Sequence, residues 1–253
     1  MAVTRTLVRD DAVLSVRDWG GDGTPMVLIH GLRGNQREWD AAGVKLARQF
    51  RIITFDQRGH GASSRSGDHS WKARVDDLVA LILEMELHDV TLVGHSLGAG
   101  VALEAANRID DCRGLAMIDG ALPVELPDGK APGRPVRNLV VTARRSLLRG
   151  ALRNAPLSFA EFLRIRDDYR GRFSEFDEEL HRVACPALYI LASRVEHGPT
   201  GPAFQAVREQ AAALVVQANP HVRVQWIDAR HNMIRTHPRQ VAAALMLLHA
   251  DTP

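Results

Sequence analysis

What the chain has little of narrows its class first. Only two cysteines, Cys112 and Cys185, occur in 253 residues, and neither lies in a CxxC or a Cys/His cluster. One pair cannot build a disulfide framework in a chain this long, so a reducing, cytoplasmic setting is the expectation. No apolar run approaches the roughly 18–20 residues of a membrane span. The opening MAVTRTLVRDDAVLSVRDWG also lacks the apolar stretch of a signal peptide. A charge of one sign is missing too. The 32 basic residues face 30 acidic ones, for a net charge of +2, which gives no warrant for a nucleic-acid partner. There is no internal repeat and no low-complexity tract. What is left is the profile of a soluble globular chain, 45% hydrophobic and 25% charged, long enough for one large α/β domain with an insertion.

What is present is an alternation. From residue 26 onward, short β-branched runs alternate with longer stretches of helical spacing, the pattern of βαβ units and a mainly parallel sheet. Before it, segments 3–8 and 13–19 read as an antiparallel pair turning at Asp10-Asp11. MVLIH (26–30), RIITF (51–55), VTLVG (90–94), GLAMID (114–119), ALYIL (187–191) and VRVQWI (222–227) read as further strands. Helices are expected over 36–48, 71–86, 97–108, 203–217 and 238–249. In the second of these, Val75, Leu78, Val79, Ile82 and Met85 recur at helical spacing. Between 120 and 183 the strands stop. Pro123, Pro127, Pro132, Pro135 and Pro156 appear there, with two helical stretches near 136–152 and 158–182. The expected organisation is one core domain, 1–119 and 184–253, interrupted by a helical insertion at 120–183.

Gly94-His95-Ser96-Leu97-Gly98 fits G-x-S-x-G, and its setting matters more than its letters. It follows the strand VTLV and opens the helical LGAGVALEAANR. A serine on a sharp strand-to-helix turn needs small residues two places away on either side, because the strained backbone leaves no room there. The helix N-terminus brings free N–H groups and a positive dipole end beside the hydroxyl. The bland alternative is a serine that merely caps a tight βα turn. The strand–turn–helix context decides against it.

Two further segments match in order. His30-Gly31 closes MVLIH and runs on to Gly34, Asn35 and Trp39, and Asp56-Gln57-Arg58-Gly59-His60-Gly61 leads to Ser63 after the next strand. Together these motifs resemble the α/β-hydrolase superfamily from about residue 13 to 249, most weakly over 120–183. The resemblance implies an α/β fold with a mainly parallel eight-stranded sheet flanked by helices, and a helical cap in the insertion. It implies Ser96 as nucleophile and the backbone N–H groups of Leu32 and Leu97 as an oxyanion hole, with no metal and no organic cofactor. The DQRGHG stretch reads as a structural loop, so Arg58 and His60 stay outside the catalytic set.

Among eleven histidines, His231 stands out by position. It follows the last strand and precedes the last helix, where the family carries its base, and it keeps the order Ser…acid…His. An imidazole can take the serine proton and return it to the leaving group. His95 should point away from the nucleophile beside it. The third member is less regular: counted from Pro186, the family's usual glycine falls at Ala192 and its usual aspartate at Val195. Glu196 is the only acid in that loop. Asp119, ending GLAMID, is the position used instead by some relatives, certain haloalkane dehalogenases and lactonases among them. Asp119 is preferred, because register matters at a triad, and Glu196 is the alternative. Each has a bland reading: an acid at 119 is frequent where the working acid lies elsewhere, and Glu196 reads equally as a solvated loop carboxylate.

The insertion is basic, with Lys130 and ten arginines against four acidic residues over 128–172. It either draws an anionic small-molecule substrate or is a solvated face balanced by Glu175, Asp177, Glu178 and Glu179. Leu139, Val140, Phe159, Phe162 and Leu163 either line a pocket or bind the insertion to the core. Hydrolysis of a carboxylic ester or lactone through an acyl-enzyme is the expected chemistry, ahead of amides, thioesters and C–C bonds. A lyase or cofactor-free oxygenase on the same fold, and a ligand-binding non-enzyme, are the alternatives.

Overall fold

The structure, a computed structural model, describes residues 2–65, 67–124, 157–196 and 201–250. Its strands are β1 (Val3–Val8), β2 (Val13–Asp18), β3 (Pro25–Ile29), β4 (Arg51–Phe55), β5 (Val90–His95), β6 (Cys112–Ile118), β7 (Ala187–Ala192) and β8 (Val222–Ile227). They form one sheet in the order β1-β2-β4-β3-β5-β6-β7-β8. β1 with β2 and β2 with β4 are antiparallel, and every later pairing is parallel. The helices are α1 (Asp40–Leu46), α2 (Trp71–Glu84), α3 (Leu97–Ala106), α4 (Phe159–Gly171), α5 (Glu175–Arg182), α6 (Gly201–Ala218), α7 (Met233–Thr236) and α8 (Pro238–Ala250).

The strand compositions follow from burial. β5 and β7 are buried at every residue, because helices cover both faces of a parallel sheet and leave no solvent side to alternate with. Successive residues still point to opposite faces. Val27 and Ile29 pack with Leu78, Val101 and Phe176 on the α2–α3–α5 side. Met26 and Leu28 pack with Trp39, Leu46 and Leu245 on the α1–α8 side. In β1, at the sheet edge, only Leu7 is buried. Helix α3 is buried along its whole length. Its run of small residues lets it lie close against the sheet while α2 and α5 cover its back.

Helix boundaries differ from the sequence pattern in three places. The stretch 36–48 opens as a 3-10 turn, Gln36–Trp39, capped by the Asn35 side chain, before α1 begins. The stretch 158–182 is two helices, α4 started by a Ser158/Glu161 capping box and α5 carrying Glu175, Asp177 and Glu178 in its first turn. The four-residue α7 precedes the closing helix. The helix expected at 136–152, with Leu139 and Val140, lies outside the described residues, as do Lys130, His197-Gly198-Pro199 and the side chain of Phe159. Cys112 and Cys185 are free thiols with their sulfurs 3.6 Å apart. Among the described residues no helix is long and apolar enough to cross a membrane.

Parallel strands end on the same side of the sheet, so the segments after β3, β5, β6, β7 and β8 gather at one edge. Those segments carry Leu32, Ser96, Asp119, Glu196 and His231.

Candidate active site

Ser96 stands at φ 55 and ψ −121, a backbone conformation that side chains rarely adopt. Its neighbours make the turn possible. A Cβ on Gly94 would overlap the Gly98 carbonyl, and a Cβ on Gly98 would lie 2.6 Å from the carbonyl oxygens of Ile29 and His30. The turn is then pinned by the Ser96 N–H donating to Ile118 O at 2.8 Å and the Ala99 N–H donating to Ser96 O at 3.0 Å. As the first residue of α3, Leu97 has an N–H with no intrahelical acceptor. The loop after β3 passes directly against the serine: a Cβ on Gly31 would lie 3.0 Å from Ser96 Cβ. A side chain there would crowd Ser96 and His95, so glycine lets the loop pass close to the serine.

His231 reaches the serine from the loop after β8. Its Nε2 lies 3.0 Å from Ser96 Oγ, and its Nδ1 lies 2.6 Å from Asp119 Oδ2. With Nδ1–H donated to the carboxylate, Nε2 keeps its lone pair and accepts the serine hydroxyl. Asp119 is 2% exposed. Its Oδ1 accepts from Arg208 Nε at 2.7 Å and the Ala192 N–H at 3.2 Å, and its Oδ2 also accepts from Arg208 Nη2 at 2.5 Å. Burial pushes the Asp119 carboxyl upward, but the hydrogen bonds and charges of His231 and Arg208 outweigh it and hold the group well below the usual carboxylate range.

Glu196 meets a different part of the histidine. Its Oε1 accepts the His231 backbone N–H at 2.7 Å and lies 3.3 Å from Arg208 Nη2. Neither candidate acid is a free loop carboxylate: Asp119 holds the ring and Glu196 holds the main chain. His95 packs on His231, with its Nε2 donating to His231 O at 2.8 Å and its ring centroid 4.8 Å from that of His231.

Two residues at the site escaped the sequence reading. Arg208 is wholly buried on α6. Its signal was a charge in line with Ala211 and Val215, on the inner stripe of the helix. Tyr169 of α4 accepts the Ala121 N–H and donates to Ser96 O, both at 3.0 Å. Its spacing with Ile165 and Phe173 marks a buried face but says nothing of the hydroxyl.

The DQRGHG turn stands behind the loop after β3. His30 Nε2 accepts the Gln57 N–H at 3.0 Å while Nδ1 donates to Gly31 O at 2.8 Å. His60 Nε2 accepts the Arg33 N–H at 3.2 Å while Nδ1 donates to Arg58 O at 3.1 Å. Arg58 forks Asp77 at 2.7 and 2.8 Å. Burial lowers His30 to about 4 and His60 well below its ordinary value, so both rings are neutral and able to accept those N–H groups. Among the described residues no group of histidine, cysteine and carboxylate side chains is arranged to hold a metal ion.

A sheet of this order, with a serine turn after its central strand and a histidine after its last, defines a class of protein. The chain matches the Alpha/beta hydrolase family over residues 26–244 and belongs to it. It is 34% identical over 128 residues to a non-heme chloroperoxidase of Kitasatospora aureofaciens, covering 49% of this chain and 46% of that one. It is 35% identical over 109 residues to a 2-(acetamidomethylene)succinate hydrolase of Mesorhizobium japonicum, covering 42% and 38%. The chain spans about a quarter to a half of the length of such curated relatives. An esterase of Exiguobacterium antarcticum shares the fold, with a TM-score of 0.75 at 18% identity over 95% of this chain and 96% of that one.

Proposed function

We propose that this protein is a serine hydrolase that cleaves a carboxylic ester or lactone through an acyl-enzyme. The observation that carries the reading is the hydrogen-bond chain from Ser96 Oγ through His231 to Asp119, at 3.0 and 2.6 Å. Ser96 attacks the carbonyl carbon as His231 Nε2 takes its proton, and the imidazolium returns that proton to the departing alkoxide. Asp119 fixes the tautomer and stabilises the cation without taking the proton, since Arg208 and His231 keep it ionised. The N–H groups of Leu32 and Leu97 receive the oxyanion, each worth about 2.7–4 kcal/mol by analogy with measured oxyanion donors. Water then repeats the sequence on the acyl group. Helix α4 of the insertion braces the Ser96 turn through the Tyr169 hydroxyl. Membership of the family and the M. japonicum hydrolase among the relatives support hydrolysis as the reaction class.

A panel of p-nitrophenyl esters and lactones of graded chain length tests this. Wild-type protein is expected to turn over at least one of them, and Ser96→Ala none. Asp119→Asn should lower kcat by about 10⁴-fold with KM little changed. Glu196→Gln, which keeps an oxygen for the His231 N–H, should lose less than tenfold. Collapse of the glutamine variant alone would make Glu196 the triad acid.

A further inference from the structure

Arg208 is buried where α6 gains nothing from a charge. An aliphatic side chain of similar volume fills such a place at least as favourably, because a guanidinium must be stripped of water to enter it. Each of its three nitrogens nevertheless finds an acceptor. Nε and Nη2 fork Asp119, Nη2 also faces Glu196 Oε1 at 3.3 Å, and Nη1 lies 3.3 Å from Gln205 Oε1. The Phe204 ring covers the cation at 4.7 Å. A single guanidinium nitrogen therefore joins the carboxylate that holds the His231 ring to the carboxylate that holds the His231 main chain.

We propose that Arg208 is the positioning residue of this site. It locks Asp119 and Glu196 in register on His231, and its charge offsets theirs beside that residue. The inference rests on the reading of Ser96 and His231 given above. The charged and titratable groups facing the imidazole are Asp119 after β6, Glu196 after β7, Arg208 on α6, His95 on β5, and Glu38 on the 3-10 turn, which lies 3.8 Å from Arg235. Around His231, one carboxylate at the ring and one at the main-chain N–H stand against one guanidinium that touches both. Removing the guanidinium leaves both carboxylates to favour the imidazolium. Removing the Glu196 charge leaves one carboxylate matched by one guanidinium. The two changes push the acid limb of the reaction in opposite directions.

The test is the rate at which a fluorophosphonate phosphonylates Ser96 between pH 5 and 9, in wild type, Arg208→Lys, Arg208→Met and Glu196→Gln. This readout needs no knowledge of the natural substrate. Arg208→Met should lower the plateau by at least about tenfold and move the acid limb up by about half to one pH unit, the size expected for one nearby charge. Arg208→Lys should keep the limb in place while losing part of the plateau, because an ammonium carries the charge but cannot fork a carboxylate. Glu196→Gln should move the limb down. Glu196 is part-exposed, so this arm stands even if the methionine variant folds poorly. Limbs that coincide in all four proteins, or that move the same way in Arg208→Met and Glu196→Gln, overturn the proposal. Wild type that reacts normally while these limbs fail to separate leaves the serine mechanism standing without it. Wild type that is unlabelled at every pH overturns both.

Discussion

At Ser96 the positive φ is bought by two missing side chains, at Gly94 and Gly98. Gly98→Ala should destabilise the fold by about 1–3 kcal/mol through overpacking against the Ile29 and His30 carbonyls, and it should slow labelling of Ser96. Urea unfolding and a labelling time course check the two effects separately. The serine and histidine were legible because their neighbours constrain them: glycines on either side of one, a terminal strand and helix on either side of the other. The acid was half legible. Asp119 and Glu196 both appear in the pattern, but their division of labour depends on Arg208, 89 residues from Asp119 in sequence. No local spacing encodes a contact of that range.

Among the elements, five of the six parallel strands, β3, β5, β6, β7 and β8, aim the site and the helices brace it. Helix α4 reaches the Ser96 turn through Tyr169. Tyr169→Phe leaves the buried Ala121 N–H without its acceptor, at an expected loss of about 1–3 kcal/mol in stability. It should also lower kcat/KM through a looser Ser96 turn. A thermal melt beside ester kinetics reads both, and an unchanged melt would remove the bracing role. The strands were readable because double burial demands unbroken apolar runs. The division of 158–182 into α4 and α5 was harder to see. Its signals are local, Gly171 at the end of one helix and an acidic first turn after Ser174 in the next, while the apolar spacing runs on through Phe173 and Phe176.

At the scale of the whole molecule, three buried neutral histidines among the described residues tie stability to pH. Burial lowers His30 to about 4, His95 to about 3 and His60 well below the ordinary value of 6.5. The unfolded chain therefore binds more protons than the folded one below that value, so stability is complete above it and is lost as pH falls toward the folded values. Each group adds up to about 1.4 kcal/mol per pH unit, and three together about 4. The urea midpoint should fall steeply between pH 6.5 and 4, before the separate loss below about pH 4 that follows from protonating Asp119. A flat midpoint across that window would contradict the buried neutral state of these rings. Protonated His30 and His60 could no longer accept the Gln57 and Arg33 N–H groups, so the loop bearing Leu32 should loosen first.

The central claim is that Ser96 is a nucleophile activated by His231. Intact-mass analysis after treatment with a fluorophosphonate tests it most directly. The account predicts one adduct per chain, mapped to Ser96, absent from Ser96→Ala and formed at least about 10³-fold more slowly in His231→Ala. Folded wild-type protein that gains no adduct, or gains it at another residue, would contradict it.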